Sequence, residues 1–280
     1  MVRRLNDQFF LLDLTGSDRN SSARQRVGVL VKLRQLSFDI SAALTTRGAG
    51  KIGGSANING NDTRPWSDCP AAGPPRAGIR HPNPAQINYI GACSGASCVS
   101  GSPPVQADPT VVDNTFFNYG DADWAALQSQ ATLVLAGGTI SGVAPTVASG
   151  LCNRANNANW GEPQEVAGVT ACRTYFPIVY LQGSSRVTGN RGQGILMVNG
   201  DIEISGGFVF DGIAVVRGSL TSTGTGGHIT GGVLAANIDL TLETILGNAV
   251  LSYSSCAVSR ARNAISPGAQ LRSRGWMQLY

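Results

Sequence analysis

Four short apolar runs recur at nearly constant spacing: Ile178-Val179-Tyr180-Leu181, Ile195-Leu196-Met197-Val198, Ile213-Ala214-Val215-Val216 and Val233-Leu234-Ala235-Ala236, with starts 17, 18 and 20 residues apart. Each is followed within two residues by Gly or Asn. Three are then followed by a run in which polar and apolar positions alternate: Ser185-Arg186-Val187, Asp201-Ile202-Glu203-Ile204 and Ser219-Leu220-Thr221. A fixed period of this size predicts a stacked repeat. The unit is too short to hold a crossover helix, which needs about a dozen residues. The pattern therefore predicts a mainly β chain, a parallel β-helix (β-solenoid) with long disulfide-stapled loops and one or two short helices.

The rest of the chain is organised around that stack. Residues 1–41 read as a strand-rich segment, with alternation in Val27-Gly28-Val29-Leu30-Val31 and Leu36-Ser37-Phe38-Asp39-Ile40, although a short helix over 23–35 satisfies the periodicity equally. Residues 42–280 are expected to form the solenoid domain. Within it, 42–62 is an additional coil suited to capping one end, and loop excursions are expected at about 63–118 and 143–176. Residues 120–131 are the best helix, with Asp121 or Asp123 at its cap and Trp124, Leu127 and Ala131 on one face. The stack should run from about 178 to 242, 245–258 should be strands leaving it, and Trp276 should seal an end of the core.

Composition agrees with short strands and tight turns: 36 of the 280 residues are Gly and 14% are charged, well below the usual quarter. The net charge of +4 is local. Residues 1–60 carry nine Lys/Arg against four Asp/Glu, and the remainder is nearly balanced. Without a Lys-rich run or interleaved aromatics, this bias does not predict nucleic-acid binding.

The six cysteines are Cys69, Cys93, Cys98, Cys152, Cys172 and Cys256. None forms a Cys-x-x-Cys pair, and with His81 and His228 the only histidines a zinc site has few ligands. Disulfides in an oxidising compartment are the expectation, against six buried thiols. Cys152–Cys172 is favoured because it closes an Asn-rich polar loop, worth about 3 kcal/mol in the chain-entropy model. Cys93–Cys98 comes next, which leaves Cys69 with Cys256 by elimination. Export needs an address, yet in residues 1–16 the apolar stretch Phe9-Phe10-Leu11-Leu12 is four residues long, short of a signal peptide. Either the chain stays cytosolic with reduced thiols or its leader lies upstream.

Candidate chemistry is sparse. Parallel β-helix enzymes acting on acidic polysaccharides carry carboxylates on one outer face. Asp201, Glu203 and Asp211 fall in consecutive coils, and the alternation of strand 201–204 points Asp201 and Glu203 outward together. The competing reading is a solvated face that keeps the sheet soluble. Gly192-Gln193-Gly194 lacks the Lys-Ser/Thr of a phosphate loop, and no nucleophile elbow is present. No catalytic residue, cofactor or metal site is expected.

Several segments together resemble the bacterial pilus-assembly proteins with a PilX N-terminal domain, a type IV pilus or pseudopilin-like family. They include Val2-Arg3-Arg4-Leu5-Asn6-Asp7, Asn159-Trp160-Gly161-Glu162-Pro163, Gly192-Gln193-Gly194-Ile195-Leu196-Met197-Val198-Asn199-Gly200-Asp201, Gly206-Gly207-Phe208-Val209-Phe210 and Tyr253-Ser254-Ser255-Cys256-Ala257-Val258. The resemblance implies a leader and an apolar membrane helix upstream of Met1, and supplies no catalytic residue. It implies partners that are other pilus or pseudopilin subunits, and contact with a membrane only through that helix. The first expectation is thus a non-catalytic exported structural protein of the periplasm, cell surface or pilus. The alternatives are a carbohydrate-active β-helix enzyme (polysaccharide lyase or hydrolase) and a bactofilin-like polymerising scaffold. Convergence of Asp201, Glu203 and Asp211 on a basic residue would favour the enzyme.

Overall fold

The computed structural model describes residues 1–6, 9–17, 24–33, 36–163, 170–237, 243–263, 268–270 and 276–279. It is mainly β, and its larger sheets are parallel. The eleven-stranded sheet runs, in spatial order, Val105–Ala107, Ala77–His81, Ala42–Thr46, His228–Ala235, Val209–Val216, Arg191–Val198, Ile178–Leu181 and Leu133–Leu135. The seven-stranded sheet runs Gly138–Val143, Ser185–Gly189, Ile202–Ile204, Leu220–Ser222, Glu243–Ile245, Gly50–Ile52 and Ile87–Tyr89. From residue 133 to 245 the chain alternates between the two, and each strand pairs in register with its counterpart one repeat later.

The two kinds of run differ because their burial differs. In the four-residue apolar runs both faces are covered. Val179, Leu181, Leu196, Val198, Ala214 and Val216 point into the core between the sheets. Ile178, Tyr180, Ile195, Met197, Ile213 and Val215 point the other way, under a second layer built on Phe116, Tyr119 and Leu127. A strand buried on both sides needs no alternation. In the smaller sheet Ile202 and Ile204 are buried while Glu203 is half-exposed, and Leu220, Thr221 and Ser222 repeat the pattern, so one face meets solvent.

The larger sheet forks at His228–Ala235. The first half of that strand pairs with Val250–Tyr253, which continues to Asn57–Asn59 and Val99–Ser100; its second half pairs with Ala42–Thr46. Segment 42–62, expected at an end, is therefore interior: Thr45 lies between Leu234 and Arg80. Within the parallel sheets the chain enters at an interior strand, Ala42–Thr46, reaches one edge at Val105–Ala107, passes through the short helices Asp113–Phe117 and Trp124–Gln128 to the opposite edge at Leu133–Leu135, and returns strand by strand until His228–Ala235 pairs with Ala42–Thr46.

Other expectations are corrected. The loop expected over 63–118 contributes four strands to the parallel sheets, Ala77–His81, Ile87–Tyr89, Val99–Ser100 and Val105–Ala107. In the first of these strands buried polar side chains break the apolar pattern: Arg80 is neutralised by Asp39 (2.6 Å) and Asp108 (2.8 Å), and His81 sits between the Gly48 carbonyl and the Asn83 N–H. The helix expected over 120–131 is shorter, Trp124–Gln128, with the Asp123 carboxylate accepting from the Ala126 N–H at 2.7 Å. Residues 24–33 are a strand, not a helix. After strand Val250–Tyr253, Ser255–Asn263 is a helix packed against the larger sheet. The tail does not join the parallel stack. Trp276–Leu279 pairs antiparallel with Arg26–Val29, in a five-stranded sheet with Val2–Arg4 and Phe9–Ser17. Residues 238–242, where the stack was expected to end, lie outside the described residues.

Candidate functional site

All six cysteines are paired, as Cys69–Cys256, Cys93–Cys98 and Cys152–Cys172. The first joins residues 187 apart, a closure worth about 5 kcal/mol in the chain-entropy model. It lies beside a cluster of polar contacts formed by residues 62–73 and 255–260. The Arg260 guanidinium stacks 4.2 Å from the Trp66 ring centroid and pairs with Asp68 at 2.5 Å. The Asp62 carboxylate accepts from the Ser255 N–H (2.7 Å), the Ser255 hydroxyl (2.6 Å) and the Gly73 N–H (2.6 Å). Asp62 thereby caps helix Ser255–Asn263 from a distant segment, a role invisible in local sequence. Asp62→Ala leaves two amide N–H groups without this acceptor and is expected to lower stability by about 1–2 kcal/mol. Urea unfolding of the oxidised protein measures it, and an unchanged midpoint would refute the capping role.

The three carboxylates offered as an alternative catalytic or metal face do not share one sheet: Asp211 lies in the larger sheet, Glu203 in the smaller, and Asp201 just before Glu203's strand. Asp201 lies in a turn, where one oxygen accepts from the Ser219 N–H (2.7 Å) and hydroxyl (2.9 Å). Glu203 is on the solvent face of the smaller sheet, 3.4 Å from Arg186 of the next strand. Asp211 belongs to the larger sheet and is 4% exposed. Asp201 and Glu203 are both half-exposed, but Asp201 immediately precedes strand Ile202–Ile204 and one of its oxygens is taken up by Ser219.

Asp211 has the most unusual setting. Its cross-strand neighbours in register are Gln193 and Thr230. Gln193 donates to the carbonyls of Cys172 (3.3 Å), Arg173 (3.0 Å) and Tyr175 (3.0 Å). Burial pushes the Asp211 carboxyl up to about 7, and the hydrogen bond from the Thr230 hydroxyl offsets only part of that. Nearby, Arg191 lies 3.3 Å from the fully buried Glu162.

The remaining candidate groups are structural. His81 is buried with both ring nitrogens engaged: Nδ1 accepts from Asn83 N–H (2.9 Å), which leaves Nε2–H to donate to Gly48 O (2.8 Å). Asn159, also buried, holds the loop of the third disulfide through the carbonyls of Thr146 and Asn153. Among the described residues no group of three or more His, Cys, Asp or Glu is placed to hold a metal ion, and no helix is long and apolar enough to cross a membrane. Comparison with family models, curated proteins and solved structures finds no match to this chain.

Proposed function

We propose that this chain is a non-catalytic, exported structural protein whose two parallel sheets and the forked row are faces of one β-solenoid, displayed at the cell surface for assembly contacts or adhesion. A pilus-associated or pseudopilin-like setting is part of that reading and rests on the sequence resemblance. The observation that carries the reading is the fate of the reactive side chains. Every cysteine is in a disulfide, and Asp62, His81, Asp201 and Glu203 are all engaged in holding turns, helix ends or neighbouring strands. Disulfides persist in oxidising compartments and small folds use them to pin loops that lack a core of their own.

The test is redox state and location in producing cells. Denaturation without reductant, followed by maleimide labelling, should tag no cysteine in the exported fraction and six after reduction. Shearing the cells should release the protein together with surface filaments. Recovery from the cytosol with six reactive thiols would overturn export. Oxidised protein that stays with sheared cells would overturn the filament setting alone.

A further inference from the structure

The five-stranded antiparallel sheet stands apart from the packing of the rest of the chain. Among the described residues, none of its side chains joins the three buried apolar clusters. Register sorts its side chains onto two faces, because residues directly opposite each other in antiparallel strands share a side. Val2 faces Leu12, which faces Val29, and Leu14 faces Val27. Across residues 2–4, 10–14 and 27–31, the only charge on this face is Arg4. The other face holds Arg3, Asp13, Arg26 and Lys32. Lys32 reaches Asp121 at 2.8 Å, so the second face is the one tied to the body of the molecule. An apolar sheet face is ordinarily laid on a core. At the outer end of this one Val2 is 65% exposed and Leu14 55%, and Leu5, just beyond the edge strand, is 51% exposed. Apolar surface gathered in this way marks a contact site.

The charge on the same strands selects the occupant. They carry Arg3, Arg4, Arg24, Arg26 and Lys32 against one acid, Asp13, an excess equal to that of the whole chain. Arg3 and Arg4, both exposed, follow Val2 directly in the edge strand. A second copy of the chain would bring the same positive excess to the contact and be repelled. Nucleic acid would take the arginines but leave Val2, Leu5 and Leu14 in water. A bilayer surface takes both kinds of side chain: its hydrocarbon boundary receives the apolar ones and its acidic headgroups the arginines. We infer that this face of the five-stranded sheet docks on an anionic lipid surface. The inference goes beyond the structural role proposed above, which gives the sheet no partner.

Flotation of the oxidised protein with vesicles tests it. The wild type should float with vesicles of equal parts phosphatidylcholine and phosphatidylglycerol, stay behind with phosphatidylcholine alone, and be released as salt is raised. Val2→Asp combined with Leu14→Asp places carboxylates at two positions more than half exposed. This variant should keep the thermal unfolding of the wild type and lose flotation. Arg3→Gln should weaken binding about fivefold, the effect of one basic side chain at such a surface. A wild type that binds neither vesicle overturns the inference, as does equal binding to both or a doubly substituted protein that floats like the wild type. Self-association of the wild type in sedimentation velocity without lipid, abolished by the same double substitution, would assign the face to a second copy and overturn it as well. If the double variant fails to fold, the comparison of the two vesicles with the wild type and Arg3→Gln decides.

Discussion

Gly212→Ala should abolish folding of the oxidised chain, while Gly207→Ala should leave it folded. Both glycines have positive φ, +147° for Gly212 and +71° for Gly207, so backbone preference alone does not separate them. Their surroundings do. A Cβ at Gly207 meets nothing within 4 Å, and its substitution should cost about 1 kcal/mol, the usual penalty for a side chain in the left-handed region. A Cβ at Gly212 would lie 2.0 Å from the carbonyl oxygen of Gly194, a backbone atom of the previous repeat that cannot swing aside. Gly194, Gly212 and Gly231 are in register, and a Cβ on Gly231 would lie 1.9 Å from the Gly212 carbonyl in turn. In the last strand of the column, His228–Ala235, Gly231 is the final residue paired with Val250–Tyr253 before Val233 begins the pairing with Ala42–Thr46. Relieving one clash forces the strands apart and breaks the ladder on both sides, for a loss of at least about 4 kcal/mol. Soluble yield and thermal unfolding by circular dichroism read the difference. A Gly212→Ala protein melting within a few degrees of the Gly207→Ala protein would show that the repeats are not packed this closely.

That column also shows where the sequence was legible. The four apolar runs, the alternating partners beside them and the glycines between them recur because every repeat solves one packing problem: two covered faces, one solvated face and a close backbone passage. Local pattern suffices there. It fails for Ala77–His81, where Arg80 and His81 are buried only because Asp39, Asp108, Gly48 and Asn83 receive them. It fails for Ala42–Thr46, whose place beside Val233–Ala235 is a long-range pairing with no local signature. It fails for residues 255–258, the end of the 245–258 segment expected as strand, because the helix that starts there, Ser255–Asn263, is stabilised at its start from outside, by Asp62 and by the Cys69–Cys256 bond. The carboxylates misled for a related reason. Period places Asp201, Glu203 and Asp211 in neighbouring repeats, but turn, smaller sheet and larger sheet send them to three different environments.

The burial of Asp211 has a thermodynamic consequence with a definite sign. Its carboxyl titrates near 3.8 in the unfolded chain and at about 7 when folded. Between those values the folded state holds a proton that the unfolded state has released, so stability falls as pH rises. The contribution is intact below about pH 4, declines as pH climbs, and is fully lost above about pH 7. The rise from 3.8 to about 7 corresponds to about 4 kcal/mol. Asp211→Asn keeps the shape and a hydrogen-bonding oxygen for the Thr230 hydroxyl while removing the ionisation. The variant should match the wild type near pH 4, exceed it by on the order of 2–4 kcal/mol at about pH 8, and have a flatter stability profile between. Urea unfolding at four or five pH values measures this directly. Parallel profiles for the two proteins would mean that Asp211 is ionised in the folded state and that water or a cation reaches it. A variant weaker than wild type at every pH would mean that the amide fits poorly beside Gln193 and Thr230, which the slope of its profile would still separate from the titration.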